Sequence, residues 1–172
     1  YAKLGEYGRA LDDYNEVIRR NPDNSDAYNN RGVIYATLGK YQQAIEDYSK
    51  TIRLSPHQTD AYIRVGILYG KLGQYQKSLE SLQEAIGRNP GNAEAYNNRG
   101  FTYVQLGRYQ SAIDDYTQAI SKKPDYTEAY MNRGVAYFRW GRNDMGCRDV
   151  RKACSLGNCT TLESVRVVGL CR

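Results

Sequence analysis

The four cysteines of this chain are the residues with the clearest chemistry. They all lie near its end, at Cys147, Cys154, Cys159 and Cys171. Four thiolates can hold a zinc ion, but such sites normally carry paired C-x-x-C spacing, which is absent here. Four cysteines can also form two disulfides, in three connectivities. The spacing favours disulfides, and a zinc site or free buried thiols are the alternatives.

Catalytic chemistry has little support in the sequence. The only histidine, His57, follows Pro56, and this pair is typical of a turn. The sequence contains no phosphate-binding loop, no serine-triad motif and no histidine cluster with metal-ligand spacing. These observations predict a non-catalytic protein without a cofactor.

A repeated element must position any functional side chains. Glycine and proline both recur at intervals of 34 residues, at Gly5, Gly39, Gly73, Gly107 and Gly141 and at Pro22, Pro56, Pro90 and Pro124. A fixed period in this range is typical of solenoids, in which each unit buries its apolar face against its neighbours. The sequence therefore predicts a repeat protein without a single central core.

Helical periodicity predicts two helices in each repeat. The first helices are expected at about 25–38, 59–72, 93–106 and 127–140, and the second helices at about 41–54, 75–88, 109–122 and 143–156. Residues 1–4 are expected to end an interrupted helix, and residues 7–20 to form its partner. The sequence is thus expected to begin inside a repeat.

The repeated unit resembles the tetratricopeptide repeat. Counted from Ser25, Thr59, Ala93 and Thr127, each unit has tyrosine at its fourth and eleventh positions and glycine at its eighth. The resemblance implies an all-α, right-handed superhelical solenoid of helix-turn-helix repeats whose concave groove binds another protein. The chain then divides into a partial repeat (1–24), three full repeats (25–58, 59–92, 93–126), a divergent repeat (127–158) and a C-terminal cap (159–172).

Glycine and tyrosine each have an expected packing role. The eighth-position glycine allows the two helices of a repeat to approach closely, and we expect Ala44 or Ala112 to face it. Sixteen of the seventeen tyrosines fall at four positions of the repeat, and only Tyr126 lies outside them. Such periodic aromatic residues are typical of helix packing, so we do not assign them to base stacking.

A comparison between the repeats predicts structural ion pairs. Arginine at the seventh position occurs together with aspartate at the twenty-third, whereas the repeat with Val65 has Ser81 there. We expect three partly buried pairs that fix the register of the two helices. They are Arg31–Asp47, Arg99–Asp115 and Arg133–Asp149.

The family resemblance implies which residues line the groove. Its first helices contribute polar side chains, largely asparagine, and an apolar floor. Asparagine can bond a peptide backbone as donor and acceptor, and Phe101 and Phe138 are expected to receive an apolar side chain. The implied partner-binding residues are Asn29, Asn30, Val33, Thr37, Arg64, Ile67, Lys71, Asn97, Asn98, Phe101, Gln105, Asn132, Phe138 and Arg139.

Three kinds of partner fit this groove to different degrees. A protein or extended peptide is favoured, although the carboxylate clamp of chaperone-binding members is incomplete, because Asp60 stands where that clamp has lysine. Single-stranded RNA is an alternative, because asparagine can bond base edges, but acidic residues at every second position disfavour it. Head-to-tail self-association into fibres is a third hypothesis.

The net charge of +5 is concentrated at the end of the chain. Residues 127–172 carry 8 basic and 4 acidic side chains. This excess indicates either a solvated face or an interface for an acidic or phosphate-bearing partner, including RNA. No run of about 18 apolar residues predicts a membrane-spanning segment.

The cap predicts how the cysteines pair. Residues 160–168 are expected to form a short helix that buries Leu162, Val165 and Val168. If this helix folds back antiparallel, Cys171 returns near Cys147, and Cys154 meets Cys159 across a turn. Two disulfides would indicate an oxidising compartment, the bacterial periplasm or the cell exterior. Free thiols would fit a cytoplasmic protein.

Overall fold

The computed structural model of this chain describes residues 2–167 and 169–171. In these residues the fold is all-α, with ten helices that pack as consecutive pairs. By their contacts the helices form two compact units, Tyr1–Arg88 and Asn89–Arg172. We call them the first and the second unit and describe each by itself.

The first unit contains five helices. They are α1 (Ala2–Arg20), α2 (Ser25–Thr37), α3 (Tyr41–Leu54), α4 (Thr59–Lys71) and α5 (Tyr75–Arg88). Helix α2 packs on α3 and α4 packs on α5, while α1 contacts α2 and α3 contacts α4. The buried core between α3 and α4 includes Ile45, Tyr48, Val65 and Leu68.

The second unit repeats this plan and ends in a shorter helix. It consists of α6 (Ala93–Gln105), α7 (Tyr109–Lys122), α8 (Thr127–Arg139), α9 (Asn143–Ser155) and α10 (Thr160–Val167). One buried cluster joins α6, α7 and α8 around Tyr116. A second cluster joins α9 and α10 and contains Leu162 and Val165. Val168, which was predicted to face the same cluster, lies outside the described residues.

The first helix differs from the sequence prediction. Residues 1–4 and 7–20 were expected to belong to separate helices, whereas α1 runs without interruption from Ala2 to Arg20. A helical segment of about four residues is too short to be stable alone, because nucleation fixes several residues for one hydrogen bond. Continuation of the helix through Gly5 forms more backbone hydrogen bonds than a turn there would.

Glycine fixes the turn inside each complete repeat. Gly39, Gly73, Gly107 and Gly141 have φ angles of 73°, 71°, 70° and 77°. Residues with a side chain rarely adopt this left-handed backbone conformation, whereas glycine adopts it without steric cost. Each first helix therefore ends at the same position of its repeat, which sets where the second helix begins.

The eighth-position glycines allow close packing, but against other residues than predicted. A Cβ atom on Gly100 would lie 2.9 Å from the ring of Tyr116, and one on Gly66 would lie 2.6 Å from Cγ of Leu82. The nearest neighbours are thus twenty-fourth-position side chains, and Ala44 and Ala112 are not among them. Large side chains reach the glycine because they project across the interface, whereas alanine is too short.

Candidate functional site

The predicted groove residues of the first unit lie on α2 and α4. Asn30, Thr37, Arg64 and Lys71 are exposed, and the other three, Asn29, Val33 and Ile67, are half-buried. The hydroxyl of Thr37 donates to the Val33 carbonyl at 2.9 Å. This face therefore combines exposed polar groups with two partly covered aliphatic side chains.

Two cations on this face rest on tyrosine rings of α3. The guanidinium carbon of Arg64 lies 5.8 Å from the ring centre of Tyr48, and Nζ of Lys71 lies 5.3 Å from that of Tyr41. Burial raises the pKa of Tyr48, and the positive charge of Arg64 acts in the opposite direction. The rings hold both charges in place by cation–π attraction.

In the second unit, Phe101 on α6 is the most conspicuous of the predicted groove residues. Its side chain is 49% exposed. Asn98 is half-buried one turn before it, with Nδ2 donating to the Glu94 carbonyl at 2.9 Å. Gln105, one turn after Phe101, and Arg139 on α8 are exposed. The phenyl ring is therefore an apolar group between two amide side chains.

Asn97 is not available to a partner, contrary to the expectation from the sequence. It is 2% exposed and accepts a hydrogen bond from Nδ2 of Asn132 at 3.1 Å. Its own amide donates to Glu128 at 3.4 Å, and it also bonds the hydroxyl of Tyr126. The two asparagines are placed between α6 and α8, so they connect these helices.

Phe138 likewise packs inside the protein instead of lining a groove. It is half-buried and contacts the cluster that contains Cys147 and Val150. A Cβ on Gly146 would lie 2.6 Å from the Phe138 ring. The other repeats have a small or medium residue at the position of Phe138 and Ala or Ser at that of Gly146. The large side chain and the glycine are therefore complementary in volume, a signal that the sequence already contains.

The structure joins each predicted arginine to its aspartate through two hydrogen bonds. The N–O distances are 2.8 and 2.6 Å for Arg31–Asp47, 2.7 and 2.6 Å for Arg99–Asp115, and 2.7 and 2.8 Å for Arg133–Asp149. The aspartate side chains are at most 9% exposed. The hydrogen bonds that Arg31 donates to Asp47 raise the pKa of Arg31, so this guanidinium remains charged.

The same arginines lie against tyrosine rings. The Arg31 guanidinium is 5.5 Å from the ring centre of Tyr28 and 5.7 Å from that of Tyr35. Arg31 also donates to Asn15 on α1 at 2.7 Å. Arg133 makes the equivalent bond to Thr117 on the preceding helix, at 2.9 Å. Arg31 and Arg133 thus each occupy a slot between their own helix pair and the helix before it.

The structure sets the cysteines in the two pairs favoured by the sequence. Cys147 and Cys171 have Cα atoms 5.6 Å apart, and Cys154 and Cys159 have Cα atoms 4.0 Å apart, each pair joined as a disulfide. A four-thiolate zinc site would need all four sulfurs around one point. Among the described residues, no group of three or more His, Cys, Asp and Glu side chains could hold a metal ion.

Tyr126 is the residue that the sequence analysis missed. It falls outside the four tyrosine positions of the repeat, in the turn before α8. Burial raises its pKa to about 12, with the charges of Glu128 and Glu94 acting in the same direction. Its bond to Asn97 makes it part of the polar network between α6 and α8. No periodic signal marks it, because the other repeats have Asn or Gln at this position.

Comparisons with known sequences agree with the repeat pattern. Family models described as tetratricopeptide repeat match residues 1–59 and 127–156, and one described as TPR repeat matches residues 66–107 and 102–141. No curated protein is matched by the sequence. No described helix combines the length and hydrophobicity that crossing a bilayer requires.

Solved structures with the same fold include two proteins named MamA and YrrB. A crystal structure of MamA is 28% identical, covering 96% of this chain and 94% of its own, with a TM-score of 0.82. MamA 41-end from Desulfovibrio magneticus RS-1 is 23% identical over 90% of this chain and 88% of its own, with a TM-score of 0.81. YrrB, described as a TPR protein with an unusual peptide-binding site, is 22% identical over 96% and 86%, with a TM-score of 0.77.

Proposed function

Because the chain belongs to the tetratricopeptide repeat family, we propose that it is a non-catalytic scaffold that binds an extended peptide or protein segment on its first helices. Proteins of this family typically mediate protein–protein interactions and are generally non-catalytic. YrrB is described as having a peptide-binding site, but its low identity supports only the shared fold. The proposal therefore depends on the surface of this chain.

The observation that carries the proposal is the half-exposed ring of Phe101. The ninth position is apolar in every repeat, at Val33, Ile67, Phe101 and Val135, and the phenyl side chain is 49% exposed. The exposed part of this ring is apolar area that a partner can remove from water. Aromatic residues in such positions are frequently the anchors of interfaces.

The amides around Phe101 suit an extended backbone. Asn98 and Gln105 lie one turn before and one turn after the ring, and each side chain has a donor and an acceptor. They can bond the N–H and C=O groups of a peptide while the ring contacts one of its apolar side chains. Recognition would then depend on one apolar residue in an otherwise variable segment.

The proposed binding residues do not include Asn97, which is buried between α6 and α8, or Phe138, which packs on α9. In the first unit the proposed residues carry two cations, which suit an acidic side chain of the partner. In the second unit they include the exposed ring of Phe101. The proposed set is Asn29, Asn30, Val33, Thr37, Arg64, Ile67 and Lys71 on the first unit, and Asn98, Phe101, Gln105, Asn132 and Arg139 on the second.

A random-peptide display selection against the purified chain tests this function. Selected peptides are expected to bind the Phe101→Asp variant at least about tenfold more weakly, because the charge removes the apolar contact. Met145→Asp is the matched control, since Met145 is also apolar and is 40% exposed, on a second helix. Peptides that bind both variants equally, or a selection that enriches no peptide, would contradict the proposal.

We further propose that the protein works in an oxidising compartment, because two disulfides join α9 to the segments just before and just after α10. Disulfides persist in the bacterial periplasm and outside cells, whereas cytosolic thiols are usually kept reduced. Intact-mass analysis after alkylation of the native, unreduced protein should show no modified cysteine. Alkylation of all four would refute both bridges.

A further inference from the structure

The slot that holds the seventh-position arginine is built in every complete repeat. In three helix pairs the chain fills it with its own arginine, bound to an aspartate and placed against the tyrosine of position four. In two of them the arginine also lies against the tyrosine of position eleven. The helix pair α4–α5 keeps both tyrosines, Tyr62 and Tyr69, but has Val65 and Ser81 in place of the charged pair. The slot therefore lacks its internal guanidinium in this repeat alone.

An open cleft of about 560 Å³ takes the place of that arginine. It is formed within the first unit by α3, α4 and α5, and Val65, Tyr62 and Tyr69 contribute to its lining. Its volume is within the range of about 300–1,000 Å³ that is usual for ligand pockets. At 100° per residue, the cleft residues Tyr62, Val65 and Tyr69 lie roughly 140–160° around α4 from Ile67. The cleft is therefore separate from the proposed peptide-binding face.

The lining has the chemistry that a guanidinium side chain needs. Val65 and Ile52 are apolar and suit the aliphatic stem, while Ser81, Glu80 and Glu84 offer oxygen acceptors. The tyrosine rings already attract cations of this chain. Nζ of Lys77 is 5.4 Å from the ring centre of Tyr69, and the guanidinium carbon of Arg88 is 4.6 Å from that of Tyr62.

We propose that this cleft binds an arginine side chain presented by a partner protein or peptide. The partner would supply from outside the group that the other repeats supply from their own first helix. The tyrosine rings would face the guanidinium as they do in those repeats, and Glu84 and Ser81 would accept its hydrogen bonds in place of the missing aspartate. Lys77 lies over the ring of Tyr69, so an incoming arginine has to displace the flexible, exposed ammonium group of Lys77.

Nuclear magnetic resonance titration of the full chain with N-acetyl-arginine methylamide tests the proposal. Saturable shifts are expected at the backbone amides of Val65 and Ser81. N-acetyl-citrulline methylamide has the same shape without the charge and should bind at least about tenfold more weakly, because charge-assisted hydrogen bonds and the cation–π contact are lost. Equal binding of the two probes, or no saturable shift at these amides, would overturn the proposal.

A variant that restores the pattern of the other repeats is the matched control. Val65→Arg with Ser81→Asp fills the slot with an internal ion pair, so binding of the arginine probe should be lost. Glu84→Gln tests the same site without a core change, because Glu84 is exposed, and should weaken binding by about fivefold. Lys77→Met should strengthen it. Wild-type binding in both the filled variant and Glu84→Gln would refute the site.

The test is independent of the proposed peptide-binding function. Phe101→Asp should leave binding of the arginine probe unchanged, because Phe101 belongs to the second unit and the cleft to the first. Loss of the probe in Phe101→Asp would show that it binds elsewhere and would overturn the assignment to the cleft.

Discussion

At three equivalent positions, the helix pair α4–α5 has apolar side chains where the pair α6–α7 has polar ones. Ile63, Val65 and Leu82 are 2%, 5% and 0% exposed in the first pair. Their counterparts in the second pair are Asn97, Arg99 and Tyr116. Both pairs have helices of 13 and 14 residues and a left-handed glycine between them.

The difference shows that the ion pair is not what makes the hairpin fold. The apolar pair α4–α5 reaches the same helix lengths and the same turn without it. Removal of two charges from water is unfavourable, and a buried ion pair frequently contributes little net stability compared with apolar residues. We infer that Arg99 and Asp115 mainly fix the register of α6 against α7, and that the stability of both pairs comes from packing around the eighth-position glycine.

The largest expected effect comes from removal of one partner of the ion pair. Arg99→Val with Asp115 kept should lower the free energy of unfolding by about 3–5 kcal/mol, because a buried carboxylate loses its counter-charge. Burial already raises the pKa of Asp115 with Arg99 beside it. Urea unfolding followed by circular dichroism measures the loss.

The double variant Arg99→Val/Asp115→Ser copies α4–α5 and is the control for this prediction. It should recover more than half of the stability lost in the single variant, since no charge remains buried. Equal losses in the single and double variants would show that the ion pair does not act as a unit, and the comparison between the two helix pairs would then have another cause.

The second prediction concerns the packing that both pairs share. Gly66→Ala and Gly100→Ala should each lower the free energy of unfolding by about 1–3 kcal/mol, because the new methyl group has no space. Leu82 and Tyr116 are fully buried and cannot move aside. Gly87 lies in α5, and a Cβ atom added there would have no heavy atom within 4 Å. Gly87→Ala should therefore stabilise the protein by up to about 1 kcal/mol, and equal effects at all three sites would contradict the packing argument.

A third change exchanges the fifth position between the two pairs. Asn97→Ile gives α6 the residue of α4, and it should lower the free energy of unfolding by about 1–2 kcal/mol, because Asn132 and Tyr126 lose a buried hydrogen-bond partner. The same replacement at exposed Gln105 should stay within about 0.5 kcal/mol. Thermal unfolding of both variants measures the difference, and an unchanged Asn97→Ile protein would show that the network is dispensable.

The last prediction is a pH dependence that arises from Tyr126, in the turn before α8. Burial raises the pKa of Tyr126 from 10.0 to about 12. The folded state therefore holds the phenolic proton more tightly than the unfolded state does. The contribution of this phenol to the stability of the folded state is complete below pH 10 and is lost as the pH rises from about 10 to 12.

Tyr126→Phe removes this titrating group, so the variant should lose stability less steeply than the wild type over the same pH interval. Free energies of unfolding at several alkaline pH values measure the two slopes. Parallel slopes would indicate that Tyr126 titrates alike in the folded and unfolded states.

The sequence was sufficient for the helices of the complete repeats and for the ion pairs, because both are properties of the repeat itself. Tyr41–Leu54 and Tyr75–Arg88 begin and end where periodicity predicts. Arg31 and Asp47 could be paired from the joint loss of both residues in the repeat that has Val65 and Ser81. In each case, another repeat of the same chain provided the comparison.

The sequence was not sufficient where a side chain meets a residue that does not repeat. Position five indicates the face of α6 on which Asn97 lies, but its burial depends on Tyr126 in a turn. Phe138 was assigned to the groove by its position, and its packing depends on Gly146, which is glycine only in the last repeat. Contacts of this kind require coordinates or explicit comparison of residue volumes.

The bridge between Cys147 and Cys171 has a mechanical consequence. Tension applied at Cys171 passes through the sulfur atoms to α9, so the residues between the two cysteines, which are 24 positions apart, bear no load. Reduction of both bridges would release a tether of about 79–86 Å, at roughly 3.3–3.6 Å per extended residue. In the oxidised protein, a pull at this end acts directly on the first turns of α9.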